Sequence, residues 1–229
     1  MATDLHKTQA SILRELLFKN GTNFASLNKF NLANDLFTFH LKKLMNEDLI
    51  EKRDNKYYLT QQGKMLAGNL NTDNLQIEKW GKATVTVTAI KKENGKTYVL
   101  MQQRLKEPFF GYYGFINGKI RFGDMTKDTA LRELKEETGL TGKPKLVGVF
   151  HKLRGPHKNE VKLDNFFYLY LIKDPKGTLI NTIEGKNSWF TLSEAKKLKT
   201  FPGFSDYWPN ILGKRSFSYI EKFHQVEEI

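Results

Sequence analysis

The sequence predicts an α+β protein of two domains: a small helical domain over 1–72, and a larger one built on a mixed sheet over 73–229. Three observations predict it. Apolar residues recur at helical spacing over 5–19 and 34–46, and two short extended runs follow. Valine alternates with threonine from residue 84 to 88, and Asn94-Gly95 then supplies a two-residue turn before a second extended run. A glycine-bracketed helical segment, 118–140, carries Glu133, Glu136 and Glu137 near its end.

The composition admits this organisation. Hydrophobic residues make up 39% of the 229 and aromatics 13%, enough for packed cores and against wholesale disorder. The absence of cysteine excludes a disulfide framework and a thiol-ligated zinc site. The first ten residues lack the apolar stretch of a signal peptide, and no later run is long enough to span a bilayer, so a soluble cytoplasmic protein without a membrane partner is expected. Net charge is +12. Residues 1–74 hold 10 Lys/Arg against 8 Asp/Glu, while 75–229 hold 27 against 17. The excess sits with the second domain, where a basic cleft would attract a polyphosphate.

In chain order, Ile12, Leu13, Leu16 and Leu17 share a helix that ends before Asn20-Gly21. Thr22 or Asn23 can cap a second helix reaching about Lys29, and a third covers Asn34 to Asn46. Leu49–Lys52 and Tyr57–Leu59 read as strands around a polar turn, Arg53-Asp54-Asn55-Lys56, and Thr60 can cap a last helix from Gln61. Three helices and a hairpin resemble a winged helix-turn-helix. The resemblance implies a recognition helix carrying Lys42 and Lys43 to DNA phosphates and a wing carrying Arg53 and Lys56. Such modules also serve in homodimerisation, and +2 is a small charge for a DNA reader. His40 has no partner at ligand spacing and reads as a packed helix residue.

Residues 71–78 are polar and aperiodic and mark the domain boundary. Next come the hairpin of 80–104 and an aromatic loop, 107–117. Tyr112 and Tyr113 in that loop could stack on a base, whereas Phe115 is expected to pack beneath the following helix. That helix has Asp124 or Thr126 as N-cap, Ala130, Leu131 and Leu134 as its apolar stripe, and Gly139 as its stop. Glu133 lies one turn from both Glu136 and Glu137, so negative charge crowds onto one face. A hard divalent cation, which prefers oxygen ligands, would relieve that crowding.

The segment resembles the Nudix box, G-x5-E-x7-R-E-U-x-E-E-x-G-U with U a bulky aliphatic residue. Gly118, Arg132, Glu133, Glu136, Glu137 and Gly139 match, and Asp124 stands where the first acid is usually Glu. The resemblance covers about residues 80–200 and implies an α/β/α sandwich with a mixed sheet. It implies Mg²⁺ or Mn²⁺ on Glu133, Glu136, Glu137 and the carbonyl of Asn117, with catalysis by the glutamates and Arg132. It further implies hydrolysis of a nucleotide or nucleotide-sugar substrate at a diphosphate. Gly118, Asp124 and Gly139 would be structural members of the box, Arg132 tying the helix to its loop through Asp124. In this family a later acid often joins the site. Glu160, Asp164 and Glu184 are the candidates, Glu160 being taken as a substrate contact. Residues 144–152 and 164–172 read as strands, and GKNSWFTLSEAKKLK as a strand followed by a helix capped by Thr191 or Ser193. The aromatic tail after residue 200 has no assignment. The rival reading is a transcription regulator that senses a nucleotide metabolite.

Overall fold

The computed structural model describes residues 5–71, 73–76, 80–107 and 109–226. The chain divides into two compact units, Met1–Lys79 and Trp80–Ile229. Among the described residues no helix is long and apolar enough to cross a membrane.

In the first unit, α1 (Lys7–Phe18) starts at His6, whose ring accepts from the Thr8 N–H while Gln9 reaches back to the His6 N–H. The second helix, α2 (Phe24–Leu27), is capped by Asn23 and stops short of Lys29. Then come α3 (Asn34–Asn46), β1 (Ile50–Arg53), β2 (Lys56–Leu59) and α4 (Gln61–Ala67), the last capped by Thr60. Ile12, Leu13, Leu16, Phe37, Leu41 and Leu44 meet in one core, and burying each such side chain contributes about 1.5–3 kcal/mol. The turn is shorter than expected. Asp54 and Asn55 alone turn the chain, both at positive φ (46° and 59°), so Arg53 and Lys56 pair as the last rung of the ladder. His40 is buried and stacks on His6, 4.5 Å between ring centroids.

The second unit is an 8-stranded mixed sheet. Its strands are β3 (Lys82–Glu93), β4 (Lys96–Arg104), β5 (Tyr113–Gly114), β6 (Ile116–Lys119), β7 (Pro144–Gly155), β8 (Leu163–Lys173), β9 (Gly185–Thr191) and β10 (Ser218–Gln225). The order is β10-β7-β8-β3-β4-β5, with β6 also on β3 and β9 on β4. β3 runs parallel to β8, and β10 parallel to β7. The tail therefore extends the sheet. Helix α5 (Thr126–Thr138) covers one face, where Ala130 and Leu134 meet Val85, Val87, Leu100 and Ile116. The other face is covered by α6 (Leu192–Ala195), a 3₁₀ turn (Phe204–Tyr207) and α7 (Trp208–Ile211). Thr191 caps α6 in a reciprocal pair with Glu194.

Two local expectations are corrected. α5 begins after Met125, and neither Asp124 nor Thr126 caps it. Phe115 does not lie beneath α5. Strand side chains alternate between faces, so Ile116 takes that place and Phe115 packs on Phe204, 4.6 Å between centroids, on the opposite side.

Candidate active site

The site forms where α5 crosses the end of β6. Gly118 leaves room for Glu133: a Cβ there would lie 2.0 Å from Glu133 Cγ. Gly139 ends the helix in the left-handed conformation (φ 74°), where a carbonyl 2.4 Å from the position of any Cβ forbids a side chain. Between these glycines the helix aims two glutamates at one cavity of about 550 Å³, which Glu133 and Glu137 line together with Asn117 and Gly118. That volume suits a nucleotide-sized ligand.

Each glutamate is held differently. Glu137 Oε2 accepts a 2.8 Å hydrogen bond from Gln102 Nε2 on β4. Burial pushes the Glu137 pKa above the ordinary carboxylate range, against the Gln102 hydrogen bond and with help from the charge of Glu133. Glu133 accepts from Arg132 at 2.6 Å, and Glu136 from the same guanidinium nitrogen at 3.3 Å. Glu136 is more than half exposed and does not line the cavity. Asp124 stands 3.7 Å from Arg132, so the expected tie exists at ion-pair range while the closer partner is Glu133.

The donor set fits a hard divalent cation, since it offers only oxygens. Among the described residues, no three His, Asp or Glu side chains converge closely enough to form a cation site by themselves. The reason is visible in the contacts: uncompensated carboxylates repel, and Arg132 draws Glu133 and Glu136 while Gln102 holds Glu137. The Asn117 side chain is spent on Thr86 and on the carbonyl of Phe115, at 2.7 and 2.8 Å.

The charges of the lining are lopsided. Lys82, Arg104, Lys106, Lys119, Arg121 and Arg154 face the cavity, against Glu133, Glu137 and Glu184. Glu184 is the only one of the three later acids in that lining, and it pairs with Lys106. Asp164 is bound to His151 at 2.9 Å. Glu160 pairs with Lys162 and His157 on the β7–β8 hairpin and does not line the cavity. Nor do the two tyrosines: Tyr112 stacks on Phe201, and Tyr113 meets Phe190 edge-on. The aromatic wall comes instead from Phe109, Phe115, Phe167, Phe201, Phe204 and Tyr207. Half of these lie in the tail, whose aromatic richness was its one sequence signal.

On the first unit, Lys42 and Lys43 are exposed along α3 beside Leu36 and Phe39, which are 49% and 59% exposed. Lys56 is exposed at the turn. Arg53 pairs with Glu51 at 2.9 Å and covers the Tyr58 ring at 4.6 Å.

A family model described as a NUDIX domain matches residues 82–208, more than half of the chain. The chain belongs to the Nudix family. A winged helix-turn-helix model matches residues 8–76. Among solved structures, the chain is similar to the MutT protein of Bacillus halodurans, with a TM-score of 0.55 at 21% identity over 63% of this chain and 90% of that one. It is also similar to the NUDIX domain of NrtR from Shewanella oneidensis, solved with ADP ribose. There the TM-score is 0.54 at 16% identity, over 68% of this chain and 99% of the other. At such identities the likeness is one of fold. The Nudix box of this chain is the loop from Gly118 and helix α5, ending at Leu140.

Proposed function

We propose that this chain hydrolyses a nucleoside diphosphate linked to another moiety, water attacking phosphorus with the help of a divalent cation. The observation that carries the reading is the shared cavity: Glu133 and Glu137 line it beside Asn117 and among six cationic side chains. Glu133, Glu136, Glu137 and the Asn117 carbonyl would hold Mg²⁺ or Mn²⁺. When bound, that cation would neutralise phosphate oxygens and acidify a water. Arg104 binds the substrate's phosphates through its planar fork, and Lys106 and Lys119 bind them as point charges. Gln102 fixes Glu137 in one orientation, so its free oxygen can take a proton from the attacking water. Arg132 holds the other two glutamates against their mutual repulsion. Asp124 ties the loop to it more loosely than a Glu would.

The test is a screen of nucleoside triphosphates, ADP-ribose, nucleotide sugars, dinucleoside polyphosphates and capped RNA with Mg²⁺ or Mn²⁺, reading phosphate or nucleotide release. At least one class should turn over, and Glu137→Gln should lose it by a factor on the order of 10² or more with thermal stability kept or raised. Silence across the panel would overturn the reading, and undiminished turnover in the variant would remove Glu137 from the mechanism.

One observation favours a second role. The N-terminal unit matches a winged helix-turn-helix and leaves Lys42 and Lys43 exposed on α3. A nucleotide-sensing regulator that binds DNA as a homodimer would use both units, and the two roles are compatible.

A further inference from the structure

Arg154 has no counterpart in the chemistry proposed so far. It sits on β7, 7% exposed, and lines the same cavity as the glutamates. Among the described residues its Nε has no hydrogen-bond partner, and the bond its guanidinium donates to the Pro202 carbonyl is long at 3.4 Å. A guanidinium stays charged at every working pH, and leaving one of its N–H groups buried without an acceptor is costly. The nearby carboxylate, Asp206, is already committed to Lys152, Lys222 and His224. Phe167 lies beneath the guanidinium at 5.7 Å.

The register places Arg154 away from the glutamates. Arg154 pairs with Leu163 on β8, Asn165 of β8 with Lys82 on β3, and Val85 of β3 with Gly118 on β6. Across the sheet Arg154 and Gly118 are thus three strand spacings apart, about 14 Å at roughly 4.8 Å each, and the register offsets them further along the strands, by two residues on β8 and three on β3. A group bound at Glu133 and Glu137 cannot also reach Arg154 unless the ligand extends across the sheet.

We infer that Arg154 is a specificity-determining residue that receives paired hydrogen-bond acceptors at the end of the substrate remote from the scissile diphosphate. This rests on the nucleotide-hydrolase reading of the same cavity. Two sources present such a pair: O6 and N7 of an oxopurine base, or two oxygens of a phosphate on the distal moiety. The planar fork of arginine suits either, and lysine does not replace it.

The experiment is calorimetric titration of the full chain, in EDTA so that nothing turns over, with ADP, GDP and adenosine 3′-phosphate 5′-diphosphate. One of the last two should bind at least about tenfold more tightly than ADP. An advantage for GDP identifies the base edge, and an advantage for the extra phosphate identifies the anion. Arg154→Gln and Arg154→Lys should each erase that advantage while leaving ADP affinity and the melting temperature in place. The lysine variant keeps the test alive if the glutamine variant fails to fold. Equal binding of all three ligands by the wild type, or an advantage that survives in both variants, would overturn the inference. Absence of turnover in the metal-loaded screen would instead count against the hydrolase reading, which these titrations do not use.

Discussion

Gly118 and Glu133 stand so close that a methyl group on the glycine would lie 2.0 Å from Cγ of the glutamate. The glycine that opens the box is therefore a space-making residue, and the space belongs to a candidate cation ligand. Gly118→Ala must push Glu133 out of the cavity or move β6. Overpacking of this kind costs about 1–3 kcal/mol. A catalytic group displaced by an ångström loses activity on the order of 10²-fold. Turnover should therefore fall far more than the denaturation midpoint. Full activity in the alanine variant would show that Glu133 can act from elsewhere.

The box was legible because fixed spacing on one helix converts directly into geometry. Three carboxylates within one turn, a glycine before and a glycine after leave few alternatives, and α3 was bounded correctly for the same reason of strong periodicity. The far wall of the cavity was not legible. Arg154, Phe167, Phe201 and Tyr207 come from separate segments, brought together by β8 running parallel to β3 and by a tail that crosses beneath the sheet before β10 joins β7. No local period encodes such pairings. Phe115, between β5 and β6, lies on the face opposite the expected one, because a one-residue offset in extended chain inverts the side a residue takes.

Arg132 makes its closest contact with Glu133, at 2.6 Å, and stands 3.7 Å from Asp124. A double-mutant cycle should then show stronger coupling of Arg132 to Glu133 than to Asp124. Arg132→Ala should cost more activity than Asp124→Ala, which keeps the bonds to Glu133 and Glu136. Equal losses that do not add in the double Asp124–Arg132 variant would restore Asp124 as the main partner.

His151 bridges three strands: Nε2 lies 2.9 Å from Asp164 on β8, Nδ1 lies 3.0 Å from Glu221 on β10, and the ring stacks on Phe166 at 4.0 Å. Burial lowers its pKa, but the hydrogen bonds to Glu221 and Asp164 outweigh that and leave it above the ordinary 6.5. The folded chain therefore holds this proton more tightly than the unfolded chain. The bridge's contribution is complete below about 6.5 and is lost as pH rises through the higher folded value. The melting temperature of wild type minus that of His151→Gln should be largest near pH 5 and shrink toward pH 9. A difference that grows with pH would show that the ring is neutral in the fold.

The first unit carries a core of its own, so a fragment of residues 1–74 should fold without the rest. Its charge of 10 basic against 8 acidic residues is small for a DNA reader. The structure reduces the usable cations further, because Arg53 is taken by Glu51 and Tyr58. Lys42, Lys43 and Lys56 remain exposed, and α3 also exposes Leu36 and Phe39, which suit a protein contact better than a phosphate. Three phosphate contacts give a salt slope of about −3, too shallow for tight binding by one copy at physiological salt. Titration of the fragment with mixed-sequence duplex should therefore give weak binding that Lys42→Glu with Lys43→Glu abolishes. Strong binding should appear only where two copies present their α3 helices together, which light scattering on the full chain would report. Tight, sequence-selective binding by a monomeric fragment would contradict this and put the regulator role ahead of the enzyme.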